Sequence, residues 1–303
     1  MRRPFIRSEK YNPEWLLASI GGAANPLWLT EWLCEVLDLR PGMRVLDLGC
    51  GKACSSIFLH KEYEVEVWAV DLLSSADQNL LRIRDAGVEK SVFPLRADAR
   101  KLPFAAEFFD AIISIDSFPY YGTDDLYLSY LARFLRSGGL LGIAGSGLTN
   151  EIEEAVPPHL QRWWTLDLNC LHSAAWWSRH WNRSKAVRVR LSDVMQEGWR
   201  AWLDWHRIIA PDNLVEIEAL EADAGEYLTY VRTLGERVKE LDLSEPVEIL
   251  TGTYEKHPLL RSEFVAFPVG SIHMTQEERS QDAVSFKAES TDGQGRASHE
   301  VYL

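Results

Sequence analysis

The chain is predicted to be an α/β protein built on a doubly wound, seven-stranded, mostly parallel sheet. Two observations predict it. Between residues 44 and 145 short apolar runs alternate with longer amphipathic stretches, the pattern of a parallel sheet covered by helices. The runs also end repeatedly at Gly or Asp, and the first passes straight into a glycine turn, "VLDLGCGKACSS" (45 to 56).

The strands are read in order as "RVLDLG" (44 to 49), "VEVWAVDL" (65 to 72), "SVFPLRAD" (91 to 98), "FDAIISID" (109 to 116) and "GLLGIAG" (139 to 145). They are rich in Val, Ile, Leu and Phe, as strands buried on both faces require. The segment "TDDLYLSYLARFLRSGG" opens at Thr or Asp, keeps an apolar stripe and is predicted to be a crossover helix that stops at Gly138 and Gly139. Farther on, "AVRVRLSDV" (186 to 194) and "EYLTYVRTLG" (226 to 235) alternate like two more strands, with the helix-like "GWRAWLDWHRIIA" between them. The intervening "RWWTLDLNCLHSAAWWSRHWNRS" (162 to 184) holds five of the twelve Trp without clean periodicity, and residues from about 151 to 185 are read as an inserted cap. The acidic "EIEALEADAGE" is read as a solvated helix face. Residues 1–237 are expected to form one domain, followed by a C-terminal extension, 238–303, with weak strand candidates such as "FVAFPVGSI" and a polar tail.

Composition narrows the function classes. A net charge of -13 disfavours a nucleic-acid groove, whose affinity rests on clustered Lys and Arg. Cys34, Cys50, Cys54 and Cys170 show no metal-ligand spacing and read as reduced thiols, so no metal is expected. No run approaches the ~18 apolar residues of a membrane span, and the basic start "MRRPFIRSEK" has no apolar core behind it. A cytoplasmic protein is expected.

A strand entering a glycine turn lets backbone N–H groups approach a ligand with no side chain between. A dinucleotide fingerprint needs a third glycine, but Gly49 and Gly51 are followed by Lys52, Ala53 and Cys54. Asp71 arrives about twenty residues after the turn, where a ribose needs a carboxylate, and Asp98 ends the next strand beside Ala99. Three strand-end acids suit a cationic nucleoside better than a pyrophosphate.

At this point "VLDLGCGKACSSIFL", "VWAVDLL", "RADARKLPF", "FFDAIISIDSFPYYG" and "LRSGGLLGIA", in this order, resemble the Rossmann-like class I S-adenosylmethionine-dependent methyltransferases of the ubiquinone-biosynthesis-like and cyclopropane-synthase-like group. The resemblance implies S-adenosyl-L-methionine as cofactor and a small-molecule acceptor. It implies that Asp47, Gly49, Cys50 and Gly51 hold the methionine half, Asp71 with Leu72 the ribose, and Asp98 with Ala99 the adenine. Asp116 would stand near the sulfonium and the acceptor, and "GGAANPLWLTEWL" would close over the cofactor through Gly22 and Asn25. Ala53 replaces the third small residue of the turn, usually glycine, and is expected at negative φ. Similar proteins carry His where this chain has Pro119, which removes a base from that loop.

The remaining candidates are read against plainer roles. His172 and His180 are candidate bases or orienting donors, or partners of carbonyls. Tyr120 and Tyr121 present phenols to substrate or pack; Trp163, Trp164, Trp176, Trp177 and Trp181 line a pocket for an apolar or aromatic acceptor or build the core of the cap. Asp116, Tyr121, His172 and His180 form the catalytic set, in a capped pocket that transfers a methyl group in line. A binding protein that senses or scaffolds S-adenosylmethionine is the alternative, and an NAD-dependent oxidoreductase the third.

Overall fold

The computed structural model describes residues 5–20 and 24–238. Gly22, "FVAFPVGSI" and the extension beyond residue 238 lie outside the described residues. In chain order the elements are α1 (Pro13–Ala18), α2 (Pro26–Cys34), β1 (Arg44–Leu48), α3 (Cys54–Tyr63), β2 (Glu66–Asp71), α4 (Ala76–Asp85), β3 (Val92–Arg96) and β4 (Phe109–Ile115). Then follow α5 (Pro119–Gly122), α6 (Tyr127–Ala132), β5 (Leu135–Leu148), α7 (Ala174–Ser184), β6 (Val187–Val194), α8 (Gly198–Ile209), α9 (Leu214–Asp223) and β7 (Leu228–Arg237).

The seven strands form one sheet in the order β3-β2-β1-β4-β5-β7-β6. β7 runs antiparallel to both its neighbours, and the other pairings are parallel. Strand order therefore reverses between β1 and β4, and the crevice beyond their carboxyl ends is where open α/β sheets bind ligands. Every residue of β4 is buried, which explains its unbroken apolar sequence.

Successive side chains point to opposite faces. Val45 of β1 joins a core with Trp32 and Leu33 of α2, Ile57 of α3 and Leu203 of α8. Leu46 and Leu48 join the other, with Leu128 and Leu131 of α6 and Trp177 and Trp181 of α7. The two indoles pack edge-on against Phe118, at 5.6 and 5.8 Å between ring centroids. Truncating either to Ala would cost about 3–5 kcal/mol.

Two readings of the sequence are corrected. The crossover helix ends at Ala132, and the chain is already in strand at Leu135. Arg133 and Phe134 carbonyls accept from Glu107 and Phe109 N–H, so pairing beside β4 wins over the helix. A register shift lies between Phe109 and Ala111, opposite Leu135 and Leu140. The "EIEALEADAGE" helix is not wholly solvated: Glu216, Ala219, Leu220 and Asp223 are buried along one face of α9. Their spacing is the i, i+3, i+4, i+7 of an inward stripe with an acid at each end.

The Trp-rich stretch divides in two. Its second half is α7, which covers the sheet, whereas the segment 149–173 before it carries Trp163 and Leu168 over the carboxyl edge.

Candidate functional site

One cavity of about 670 Å³ opens at the switch point, lined by the turn after β1, the end of β2, the end of β4 and the segments that cover them. Gly49 and Gly51 line it with φ of 77° and 53°, and Cys50 between them is buried. A Cβ at Gly49 would fall 2.0 Å from Ser117 Oγ, so the close approach of the β1 and β4 ends requires glycine there. Ala53, which follows, is left-handed at φ 61°, which corrects the expectation of a negative φ. The turn must reverse into α3 within a few residues, and Ala53 N–H closes it onto the Cys50 carbonyl at 2.9 Å.

Asp47 lies beneath the turn rather than in the cavity lining, fully buried, with one oxygen accepting from Ser55 and Ser56 hydroxyls at 2.6 Å each. Its other oxygen, Oδ1, is buried without a partner. Burial pushes the carboxyl up to about 6, against the two serine hydrogen bonds and with help from the Asp71 charge.

Asp71 lines the cavity and anchors the turn, Oδ2 accepting from Gly51 N–H (2.8 Å) and Oδ1 from Leu73 and Ser74 N–H (2.8 and 2.7 Å). Leu73, rather than Leu72, reaches the cavity. Leu72 is half exposed and its carbonyl accepts from Arg96. Asp98 closes a turn on Arg100 N–H at 2.8 Å, and the Ala99 carbonyl accepts from Tyr127; neither residue is in the cavity lining.

Asp116 sits at the end of β4 with φ of 49°, its oxygens accepting from Ala24 N–H (3.2 Å) and Ser146 N–H (3.0 Å). It lines the cavity partly buried, and desolvation holds its carboxyl above the usual range. Asn25 caps α2 by accepting from Leu27 and Trp28 N–H, and its Nδ2 is buried without a partner.

The remaining three members of the expected catalytic set are not in the cavity lining. Tyr121 hydroxyl is buried against Ser114, Ser117 and the Leu48 carbonyl, beneath the turn. His172 Nδ1 lies 3.0 Å from Glu151 Oε2, and His180 Nε2 donates to the Gly122 carbonyl at 3.1 Å. The two imidazoles sandwich Trp176, with ring centroids 3.7 and 4.5 Å from it. Tyr120, 60% exposed, lines the cavity in place of Tyr121.

The sequence reading missed Trp202 of α8 and Glu216 of α9, both in the lining. Glu216 Oε1 accepts from Trp202 Nε1 at 3.1 Å, so the two helices between β6 and β7 present a carboxylate held by an indole. The inward stripe of α9 was the available signal.

Known proteins resemble this chain over part of its length. Residues 45–139 match the family model described as a methyltransferase domain. Methyltransferase GfsG of Streptomyces halstedii is 32% identical over 143 residues, 46% of this chain and 50% of that protein. Cyclopropane-fatty-acyl-phospholipid synthase of Escherichia coli K12 is 34% identical over 124 residues, 40% of this chain and 31% of that protein. The chain thus spans half or less of the length of these relatives. A solved structure of geranyl diphosphate C-methyltransferase from Streptomyces coelicolor A3(2), in complex with Mg2+, geranyl diphosphate and S-adenosyl-L-homocysteine, superposes with a TM-score of 0.55 at 18% identity, covering 69% of this chain and 79% of that one. Residues 45–139 are thus similar to a methyltransferase domain, and the fold is like that of solved methyltransferase structures.

Among the described residues no helix is long and apolar enough to cross a membrane.

Proposed function

We propose that the protein is an S-adenosylmethionine-dependent methyltransferase that transfers a methyl group directly to a small-molecule acceptor inside the cavity. The observation that carries this reading is the convergence of a bare glycine turn, the Asp71 carboxylate and Asp116 on one cavity walled by Trp163 and Trp202.

The residues present fit the cofactor. Gly49 and Gly51 leave backbone open toward the cavity, and Asp71 retains acceptor capacity beyond its three backbone donors for a ribose hydroxyl. Asp47 Oδ1 and Asn25 Nδ2, buried without partners beside these segments, leave an unfilled acceptor and an unfilled donor near the turn and α2. When bound, the cofactor supplies an electrophilic methyl group on a sulfonium. Asp71 would fix the nucleoside end, Asp116 would place a negative charge where positive charge is held, and the segment 149–173 would exclude water. Methyl transfer of this kind asks the protein chiefly for position and desolvation. The S-adenosyl-L-homocysteine in the similar solved structure supports the same cofactor here.

Isothermal calorimetry with S-adenosylmethionine and S-adenosylhomocysteine tests the reading. Saturable binding to one site, weakened at least tenfold in Asp71→Ala, is expected; no heat with either compound overturns it. Incubation with labelled cofactor and a metabolite extract separates enzyme from sensor, since a sensor binds without accumulating product. A thermal-shift comparison with NAD separates the oxidoreductase.

A further inference from the structure

The cavity's covering wall has a chemical bias that the glycine turn does not explain. Asp116, Asp167 and Glu216 line it together with Tyr120, Trp163 and Trp202, and the described lining contains no Lys, Arg or His. Glu216 is buried and Asp116 partly buried, and among the described residues no Lys or Arg pairs with either carboxylate. The basic group nearest to Glu216 is His206, whose Nδ1 lies 3.3 Å from Oε1 and which is outside the lining. Glu216 comes from the connection between β6 and β7, apart from the strand-end acids that face the cofactor region.

The aromatic groups are arranged to suit the same charge. Trp163 and Trp202 meet nearly edge to face, 6.0 Å between centroids at 74°, so their negative faces look in different directions around one corner of the cavity. Tyr230 stacks behind Trp202 at 5.5 Å, and its hydroxyl is buried without a hydrogen-bond partner. Burial and the nearby Asp116 and Glu216 carboxylates hold that phenol protonated, well above its ordinary range. Tyr230 lies outside the cavity lining and backs the indole that faces it.

We infer that the acceptor carries an amine, taken up as its ammonium form between Glu216 and Asp116 with its apolar body against Trp163 and Trp202, and that carboxylate and phosphate acceptors are rejected. An ammonium gains from two desolvated carboxylates and from the indole faces. An anion in the same place meets like charge in a site with no cation to offset it. This inference rests on the methyltransferase reading only in naming the bound amine as the acceptor; the charge preference of the pocket stands on the lining itself.

The test uses two molecules of like shape and opposite charge, phenethylamine and 3-phenylpropionate, titrated by calorimetry into the full chain with and without saturating S-adenosylhomocysteine. Phenethylamine is expected to bind at least tenfold more tightly. Glu216→Gln is expected to weaken phenethylamine at least tenfold while leaving S-adenosylhomocysteine affinity unchanged. Asp167→Lys, at an exposed position of the lining, is expected to narrow or reverse the preference, and it carries the test where the Gln variant fails to fold. Equal or tighter binding of 3-phenylpropionate, heat from neither probe, or an unchanged phenethylamine affinity in Glu216→Gln overturns the inference. Loss of S-adenosylhomocysteine binding with the ammonium preference intact overturns the methyltransferase reading instead.

Discussion

Gly49 and Ser117 close the floor of the cavity against each other: a Cβ on residue 49 would lie 2.0 Å from Ser117 Oγ and 2.5 Å from Ser117 Cβ. The contact joins the end of β1 to the end of β4 across the point where strand order reverses. Gly49 also sits at φ 77°, where an L side chain is strained. Gly49→Ala is therefore expected to lower stability by about 1–2 kcal/mol from the left-handed backbone, with the overlap at Ser117 adding to it. Cofactor affinity should fall at least tenfold because the turn must shift. Denaturant unfolding and calorimetry on the same preparation check both.

Ala53 faces the opposite balance. It occupies the left-handed region at φ 61° yet keeps a buried methyl in the core. Glycine would relieve about 1–2 kcal/mol of backbone cost but lose about 0.8 kcal/mol of methyl burial and about 0.5–1 kcal/mol through the freer unfolded chain. The sums nearly cancel, so Ala53→Gly should change stability by less than about 1 kcal/mol, measured by urea unfolding. Ala53→Val is expected to destabilise far more, since a β-branched residue tolerates positive φ poorly.

The sheet was legible because its strands are buried on both faces and say so in continuous apolar runs, as "FDAIISI" does. Asp71 and Asp116 were placed at the carboxyl edge because each ends a strand of the sheet, and both line the cavity. Glu216 was not, since its neighbours Glu218 and Glu221 are exposed and the local composition hides one inward acid among outward ones. The histidines, outside the cavity lining, are the converse case. Their chemistry suits catalysis, but their partners, Glu151 and the Gly122 carbonyl, are remote in sequence and only folding reveals them.

Those partners give His172 and His180 a packing role around Trp176. His180 is 6% exposed, and desolvation lowers its pKa, opposed by the Gly122 carbonyl and Asp125. His180→Phe and His172→Phe are expected to keep the stack and change kcat/KM less than about threefold, with the pH-rate profile unaltered. Each loses a hydrogen bond, at about 1 kcal/mol. A tenfold loss of kcat with KM and stability intact, in either variant, would restore a catalytic assignment.

Asp47 ties the site to the pH dependence of the fold. Its carboxyl is raised by burial to about 6 from the ordinary 3.8, so the folded state binds its proton more tightly than the unfolded state. The stability this supplies is fully present below the unfolded value and is lost as pH rises through the folded one. Between about pH 4 and pH 6 the wild type should lose about 2–3 kcal/mol from this group, at 1.36 kcal/mol per pKa unit. Asp47→Asn keeps a polar group for Ser55 and Ser56 but has no proton to lose. Its stability should fall less steeply over that interval, so that the variant gains on the wild type from pH 4 to pH 7. Parallel urea titrations at half-unit steps measure the difference; curves that stay parallel would mean that Asp47 keeps an ordinary acidity in the folded protein.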